Sequence, residues 1–378
     1  MADLVDFNIS SLLLILFILT VIAQLGIYFG TYARLSFLKR KPSSSPQQAF
    51  PVSVIICARD EGDNLTEFLP KILSQEYSKF EVIVVNDCSY DNTDDVLREY
   101  AEIFPNLKII KVKEDEYYKH GKKFALMVGI KGAKYDHLLL TDADCVPESN
   151  QWISTMMQGY SSDKEIVLGY GPYMKKPGFL NKLIRFDTFS IALHYLSLAL
   201  NNNAYMGVGR NLSYKKDLFF RHKGFSTHYH INSGDDDLFV NQAATKKNVA
   251  VVIDPASFTY SVPSLKYNQW VEQKQRHIST ASLYNGITKF RLIYLHFIQY
   301  LFWGFFITLL FVKSMLFIAL AIFLLRIICQ LIIFNGAMKQ LKEKDLLPWF
   351  LIFEFLLLFI YPVLHITKKF TKPNKWKN

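Results

Sequence analysis

Two stretches of this chain leave little freedom in how they fold. No charged residue occurs from Phe7 to Ala33, and none from Leu292 to Val312. Each is as long as the roughly 20 apolar residues that a helix needs to cross a bilayer. Inside hydrocarbon every backbone polar group must be bonded within its own segment, so each run has to be helical. Two more spans are expected near Met315–Phe334 and Leu347–Ile366. The leader, Met1–Ser10, is acidic rather than basic, and Arg34, Lys39, Arg40 and Lys41 follow the first run. That pattern reads as a retained anchor, not a cleaved signal, with its C-terminal side in the cytoplasm. The intervening region is then cytoplasmic, and the protein is expected to be integral to a bacterial inner membrane.

The expected organisation is an anchor at 1–40, a Pro-, Ser- and Gln-rich linker at 41–50, a domain at 51–290 and a C-terminal membrane region at 291–378. The net charge of +10 suits a domain resting on anionic membrane lipids. No groove-binding motif accompanies it, so no nucleic-acid partner is expected. Cys57, Cys88 and Cys145 each follow an apolar run and Cys329 lies in a span, with no Cys-x-x-Cys spacing. This argues against a zinc site or a disulfide framework and fits a reducing compartment. Arg326 and Glu354 fall inside predicted spans at one depth of an antiparallel hairpin, which points to a structural ion pair. The tail holds Lys368, Lys369, Lys372, Lys375 and Lys377. The positive-inside rule wants it in the cytoplasm, whereas four full spans put it outside. The two agree only if one segment is re-entrant or interfacial, the two charged segments being the candidates.

The domain alternates strand and helix. Val52–Cys57 and Leu138–Leu140 are apolar runs that read as buried strands, and Phe80–Val85 and Leu107–Val112 read as two further strands. Helical spacing follows at Leu65–Ser74, after Asp91–Asp94 and at Phe124–Ala133. That order predicts a parallel, Rossmann-like α/β sheet. Polar clusters fall where the strands end: Asp60, Asp87, then Asp142 and Asp144 one residue apart. Carboxylates there line the crevice in which open α/β sheets bind ligands. Two of them suit a Mg²⁺ or Mn²⁺ ion carrying a diphosphate. A plain Asp-rich turn capping the next helix accounts for the pair equally well in isolation. No G-x-G-x-x-G is present, which argues against a dinucleotide.

Four elements in order resemble family 2 glycosyltransferases of the GT-A fold. They are Val52–Glu61 with its acidic loop, Val84-Val-Asn-Asp-Cys-Ser89, Gly121-Lys-Lys-Phe-Ala-Leu126 and Asp142-Ala-Asp144. The resemblance implies a mixed GT-A sheet flanked by transmembrane helices. It assigns the nucleotide-sugar to Ala58, Asp60, Glu61, Asp87, Lys122 and Asp142, and the divalent cation to Asp144 with or without Asp142. Gly207-Val-Gly-Arg-Asn-Leu212 resembles the acceptor segment, implicating Gly209 and Asn211; a glycine-rich turn before a strand is the duller account. Ser233-Gly-Asp-Asp-Asp237 matches the position of the base, which carries over to Asp236, with Asp235 beside it at the acceptor. Asp237 competes in the register, and acids also cap helices, Ser233 or Asp235 being the expected cap.

Trp270-Val-Glu-Gln-Lys-Gln-Arg-His277 resembles the Gln-x-x-Arg-Trp motif of membrane-bound members, with His277 replacing the tryptophan. On a helix Gln273, Arg276 and His277 share one face, toward the leaving diphosphate. Phe179–Leu200 is either a membrane-interface helix or a core helix. His222, His228 and His230 lack a metal-ligand pattern and are placed at the acceptor entrance. The resemblance implies inverting, metal-dependent transfer from a nucleotide-diphosphate sugar, expected to be UDP-linked, to a lipid-linked or saccharide hydroxyl. A polyprenyl-phosphate acceptor, a processive synthase and a silent nucleotide-binding scaffold stay open.

Overall fold

The computed structural model describes residues 2–39, 50–113, 121–231 and 233–367. The linker at 41–49 and the basic tail at 368–378 lie outside the described residues. The chain forms two compact units, one from residues 1–38 and 284–358, the other from 39–283 and 359–378.

The first unit is helical. Ala2–Ile27 runs through a π-turn, Tyr28–Tyr32, into Ala33–Ser36; Gly286–Leu309, Leu316–Gln340 and the start of Phe350–Thr367 complete it. Lipid supplies no hydrophobic drive between helices, so close packing and polar contacts must hold them. Both are present. Phe17 stacks on Phe302 and Phe306, with ring centroids 5.6 and 6.0 Å apart, and Phe306 stacks on Phe323 at 4.0 Å. A Cβ on Gly336 would lie 2.9 Å from the Ser36 carbonyl oxygen, so glycine permits that approach. Ser36 Oγ donates to the Ile333 carbonyl at 2.8 Å.

The polar contact centres on Arg326, which is fully buried. Its Nη2 pairs with Glu354 at 2.6 Å, its Nε donates to Gln24 at 2.8 Å, and its Nη1 donates to Gln330. The guanidinium lies 4.5 Å over Phe302, while Gln299 and Gln330 donate to Glu354. The expected ion pair is therefore the centre of a five-residue network. Breaking a buried pair in a soluble protein costs about 3–5 kcal/mol. Here three glutamines remain to solvate the survivor, so Arg326→Met is expected to cost about 2–3 kcal/mol. Unfolding in mixed detergent measures this, and the Arg326→Glu, Glu354→Arg swap should recover more than half of it.

The second unit is α/β. Its strands are β1 Val52–Ala58, β2 Phe80–Asp87, β3 Leu107–Val112, β4 His137–Asp142, β5 Cys145–Pro147, β6 Ile166–Leu168, β7 Leu212–Lys215, β8 Val249–Val251 and β9 Thr259–Ser261. Seven form one sheet in the order β3-β2-β1-β4-β7-β6-β8, and β5 pairs with β9. β1 to β4 are mutually parallel, as the alternation predicts. Beyond β4 the sheet turns mixed: β7 runs antiparallel to β4 and to β6, and β8 parallel to β6. Every β1 residue is buried. Helix Gly62–Leu73 covers the sheet with Leu65, Phe68, Leu69, Ile72 and Leu73, the residues at helical spacing.

Phe179–Leu200 is a core helix. Of its apolar window 72% is buried, against 22–28% for the four helices that resemble spans. Its Asp187 pairs with Lys274 and accepts from the Tyr361 hydroxyl, so the buried charge is met within this unit. Among the described residues five helices, this one included, are long and apolar enough to cross a membrane.

Candidate functional site

Parallel register brings the polar strand ends together. Ala58 of β1 pairs with Asn86 of β2, and Cys57 with Asp142 of β4. Ala58, Asp87 and Asp142 therefore leave the sheet along one edge. The loops after β1 and β2 are zipped to each other. Asp60 takes φ 52°, its backbone N–H donates to Ser89 Oγ at 3.0 Å, and its Oδ1 accepts from Tyr90 N–H at 2.7 Å. Glu61 N–H donates to Thr93 Oγ1 at 2.9 Å, and Gly62 N–H to Asp91 at 2.9 Å. Asp87 is fully buried at the floor of this edge.

Asp142, Asp144 and Cys145 offer ligand atoms within 4.8 Å of one another. Asp144 is set by the β5–β9 pairing: Cys145 lies opposite Ser261, whose Oγ donates to Asp144 Oδ2 at 3.0 Å. Desolvation, then repulsion by Asp142 and Glu61, pushes the Asp144 carboxyl up to about 6. Burial, then the neighbouring Asp144 and Asp142, keeps the Cys145 thiol protonated. The donor set is thus two hard carboxylates with excess negative charge. It fits Mg²⁺ or Mn²⁺, which take oxygen ligands and keep places for water and phosphate.

Lys122 connects this pair to the second acidic cluster. Its Nζ lies 2.8 Å from Asp142 Oδ1 and 3.1 Å from Asp235 Oδ2. Desolvation opposes its charge, but Asp142, Asp235 and Asp236 outweigh that and hold the ammonium protonated. The neighbouring Lys123 turns away to donate to the carbonyls of His228 at 2.6 Å and Ile231 at 3.1 Å.

The three consecutive aspartates have separate jobs. Asp235 is buried against Lys122. Asp237 is buried, accepting from Leu238 N–H at 2.7 Å and from the Thr280 hydroxyl. Asp236, the half-exposed member, accepts from Asp237 N–H and Gly209 N–H, each at 2.7 Å. It is itself the cap of helix Asp237–Ala243, so neither Ser233 nor Asp235 takes that role. Burial, then Asp235 and Asp237, raises its carboxyl to about 7 against the pull of Lys122. A carboxylate tuned to that range is suited to accept a proton at neutral pH.

The glycine-rich segment is a single 3₁₀ turn, Gly209–Asn211, leading into β7. A Cβ on Gly209 would stand 3.4 Å from Asp236 Oδ2 and 3.6 Å from Lys122 Nζ, so this glycine lies between them. Asn211 corrects an expectation. It has no exposed surface; its amide donates to the carbonyls of Tyr170 at 2.9 Å and Ser257 at 2.7 Å, and its Oδ1 accepts from Trp152 at 3.0 Å. It bolts the turn in place and does not meet an acceptor. Arg210 between them carries no signal in the sequence, since one arginine in a glycine-rich turn fits no pattern. In the structure it acts electrostatically on Asp142, Asp144 and Asp236's neighbour Tyr195.

Helix Tyr267–Thr280 presents its motif as the spacing predicts. Gln273 Oε1 accepts from the Tyr173 hydroxyl at 3.2 Å, and Arg276 helps keep Asp142 ionised. His277 stays exposed. Trp270, one turn before Gln273, is buried. Lys274 and Gln275 anchor the opposite side, to Asp187 and to Thr367 Oγ1 at 2.9 Å. His228 is buried with its Nδ1 2.9 Å from Thr227 Oγ1.

Residues 53–222 match the family described as Glycosyl transferase family 2. The poly-beta-1,6-N-acetyl-D-glucosamine synthase of Staphylococcus aureus (strain MSSA476) is 28% identical over 165 residues, 43% of this chain and 38% of that protein. The Staphylococcus epidermidis protein of the same name is 32% identical over 117 residues, 29% of this chain and 27% of that one. The chain thus spans well under half the length of the curated relatives it matches. A solved mannosyltransferase from Pyrobaculum calidifontis, in complex with GDP-Man and Mn²⁺, is 19% identical with a TM-score of 0.54. That likeness covers 90% of this chain and 98% of the other, and it speaks for the shared fold.

Proposed function

Through residues 53–222 the chain belongs to glycosyl transferase family 2, and from that premise we propose that it is a membrane-anchored, inverting transferase acting on a nucleotide-diphosphate sugar. The observation that carries this reading is Lys122. It ties the donor-side carboxylate Asp142 to the acceptor-side Asp235, next to the half-exposed Asp236. One cleft thereby holds both a cation site and a base.

In this reading Ala58, Asp60, Glu61 and Asp87 receive the nucleotide, and Lys122, Gln273, Arg276 and His277 face the diphosphate. A divalent ion held by Asp142 and Asp144 would supply Lewis-acid neutralisation of the diphosphate oxygens. Asp236 takes the proton of the acceptor hydroxyl as its oxygen attacks the anomeric carbon. A new glycosidic C–O bond forms, the anomeric C–O bond to phosphate breaks, and the diphosphate leaves with the electron pair. Gly209 gives the acceptor a close approach to Asp236. A carboxylate tuned near 7 favours a hydroxyl acceptor over a polyprenyl phosphate, which is already ionised and needs no base.

The curated relatives are named as synthases of poly-beta-1,6-N-acetyl-D-glucosamine, which favours a UDP-linked amino sugar as donor and keeps a polymer product open. The positive-inside pattern around the first span favours a cytoplasmic α/β unit. The test is release of UDP or GDP by the purified full chain in detergent, over a panel of sugar nucleotides. Mn²⁺ or EDTA and membrane lipid extract are the paired additions. Metal-dependent release from one donor is expected, and a lipid-linked acceptor shows as stimulation by the extract. Ladders of product instead of one species would establish processive synthesis. Absence of both release and nucleotide binding would overturn the transferase reading.

A further inference from the structure

Arg210 is held more firmly than its place in a glycine-rich turn requires. Its carbonyl accepts from Thr259 Oγ1 at 2.7 Å, and the turn is bolted on either side by Gly209 N–H to Asp236 and by the buried Asn211 amide. Its guanidinium lies 4.2 Å over the Tyr173 ring. A Cβ on Gly171 would stand 3.1 Å from Arg210 Cβ and 3.6 Å from its Nε, so this glycine keeps a berth open along the side chain. Tyr173 in turn bonds Gln273 on the helix that carries Arg276.

Beyond the Tyr173 ring, one corner of the charged end lacks a hydrogen-bond partner. Nη1 is buried and finds no hydrogen-bond acceptor among the described residues. A buried donor left unpaired is costly, and a guanidinium presents a planar fork that fits an oxyanion with two bonds. Asp142 and Asp144 are in its electrostatic range, yet their charge is what a divalent ion would engage. Within the transferase reading, the acceptor hydroxyl and an N-acetylated sugar are neutral, and the donor's diphosphate is an anion that every turnover brings to this cleft. We propose that Arg210 binds the distal phosphate of the donor's diphosphate, alongside Arg276, its guanidinium oriented by Tyr173 and Gly171. This rests on the function proposed above.

Binding of UDP and UMP, or GDP and GMP where guanosine is the donor base, separates this role from a structural one. The full-length protein in detergent is titrated with each nucleotide in Mn²⁺ and in EDTA. The wild type should prefer the diphosphate. Arg210→Gln should lose tenfold or more in diphosphate affinity while the monophosphate affinity and the unfolding midpoint stay put. Arg210→Lys, which keeps charge without the fork, should fall between. Should Arg210→Gln fail to fold, the lysine variant carries the test: an unchanged preference for the diphosphate overturns the proposal. So does an equal loss for both nucleotides, or a change confined to the acceptor KM. A wild type that binds neither nucleotide overturns the transferase reading, and this proposal with it.

Discussion

Asp236→Asn is expected to slow sugar transfer by about 10²–10⁴-fold, the range for losing a positioned general base. Nucleotide affinity should be retained, because Asp142, Lys122 and Arg276 are untouched. The choice of Asp236 over its neighbours follows from exposure and bonding. Asp235 and Asp237 are buried, the one against Lys122 and the other under Leu238 N–H and the Thr280 hydroxyl. Asp237→Asn should therefore lower the unfolding midpoint more than it lowers the chemical rate. A pH profile gives a second reading. Asp236 is raised to about 7, so wild-type kcat/KM should climb as pH rises through that value, and the residual activity of Asp236→Asn should not. Stability should move the other way. A carboxyl with a raised folded pKa binds its proton more tightly folded than unfolded, so its contribution is full below about 4 and is lost as pH rises toward about 7. Relative to Asp236→Asn, the wild type should lose stability across that window. Initial rates of diphosphate release and thermal unfolding between pH 4 and 8.5 measure both. A variant that keeps wild-type turnover would remove Asp236 from the chemistry.

What the sequence disclosed, it disclosed where one physical demand dominated. β1, β2 and β4 are buried over most of their length, so their apolar runs stand out and their polar ends mark the cleft edge, whereas β3 at the sheet edge keeps Lys108 and Lys111 exposed. Arg326 and Glu354 could be paired in advance because charge inside an apolar helix must find a partner. Legibility fails where a contact joins distant short pieces. Three-residue strands such as β5 and β9 have no periodicity to detect, yet their pairing delivers Ser261 to Asp144. Asn211 resembles an acceptor residue by position, and only the carbonyls of Tyr170 and Ser257 reveal it as a brace. Phe179–Leu200 mixes charge with a broad apolar face. It became a core helix once Lys274 supplied the partner for Asp187, a pairing that no local pattern announces. Arg210 is the sharpest case, since its meaning lies in Tyr173 and Gly171, outside its own motif.

Asp144→Asn is expected to abolish stimulation of turnover by Mn²⁺ or Mg²⁺, a loss of at least about 10²-fold at saturating donor, the upper end of what disturbing a metal's surroundings costs. The substitution is conservative for the fold. An asparagine Oδ1 can still accept from Ser261 Oγ, and the β5–β9 pairing that places residue 144 does not involve its side chain. What it removes is charge. Asp144 is held up at about 6 by desolvation, Asp142 and Glu61, so a proton and a divalent ion compete for the same carboxylate. In the wild type the cation concentration for half-maximal rate should therefore rise as pH falls through about 6, and in Asp144→Asn that dependence should vanish with the stimulation itself. Ser261→Ala probes the support beneath. It leaves both carboxylates but frees Asp144 to turn, so half-saturation should shift upward about 10-fold with the maximal rate nearly restored at high Mn²⁺. Donor turnover titrated with Mn²⁺ at pH 5.5, 6.5 and 7.5 separates these cases. An unchanged midpoint in Asp144→Asn would place the cation elsewhere in the cleft. A midpoint shifted equally by Asp144→Asn and Ser261→Ala would mean that Asp144 orients the site without ligating, leaving Asp142 as the carboxylate that holds the ion.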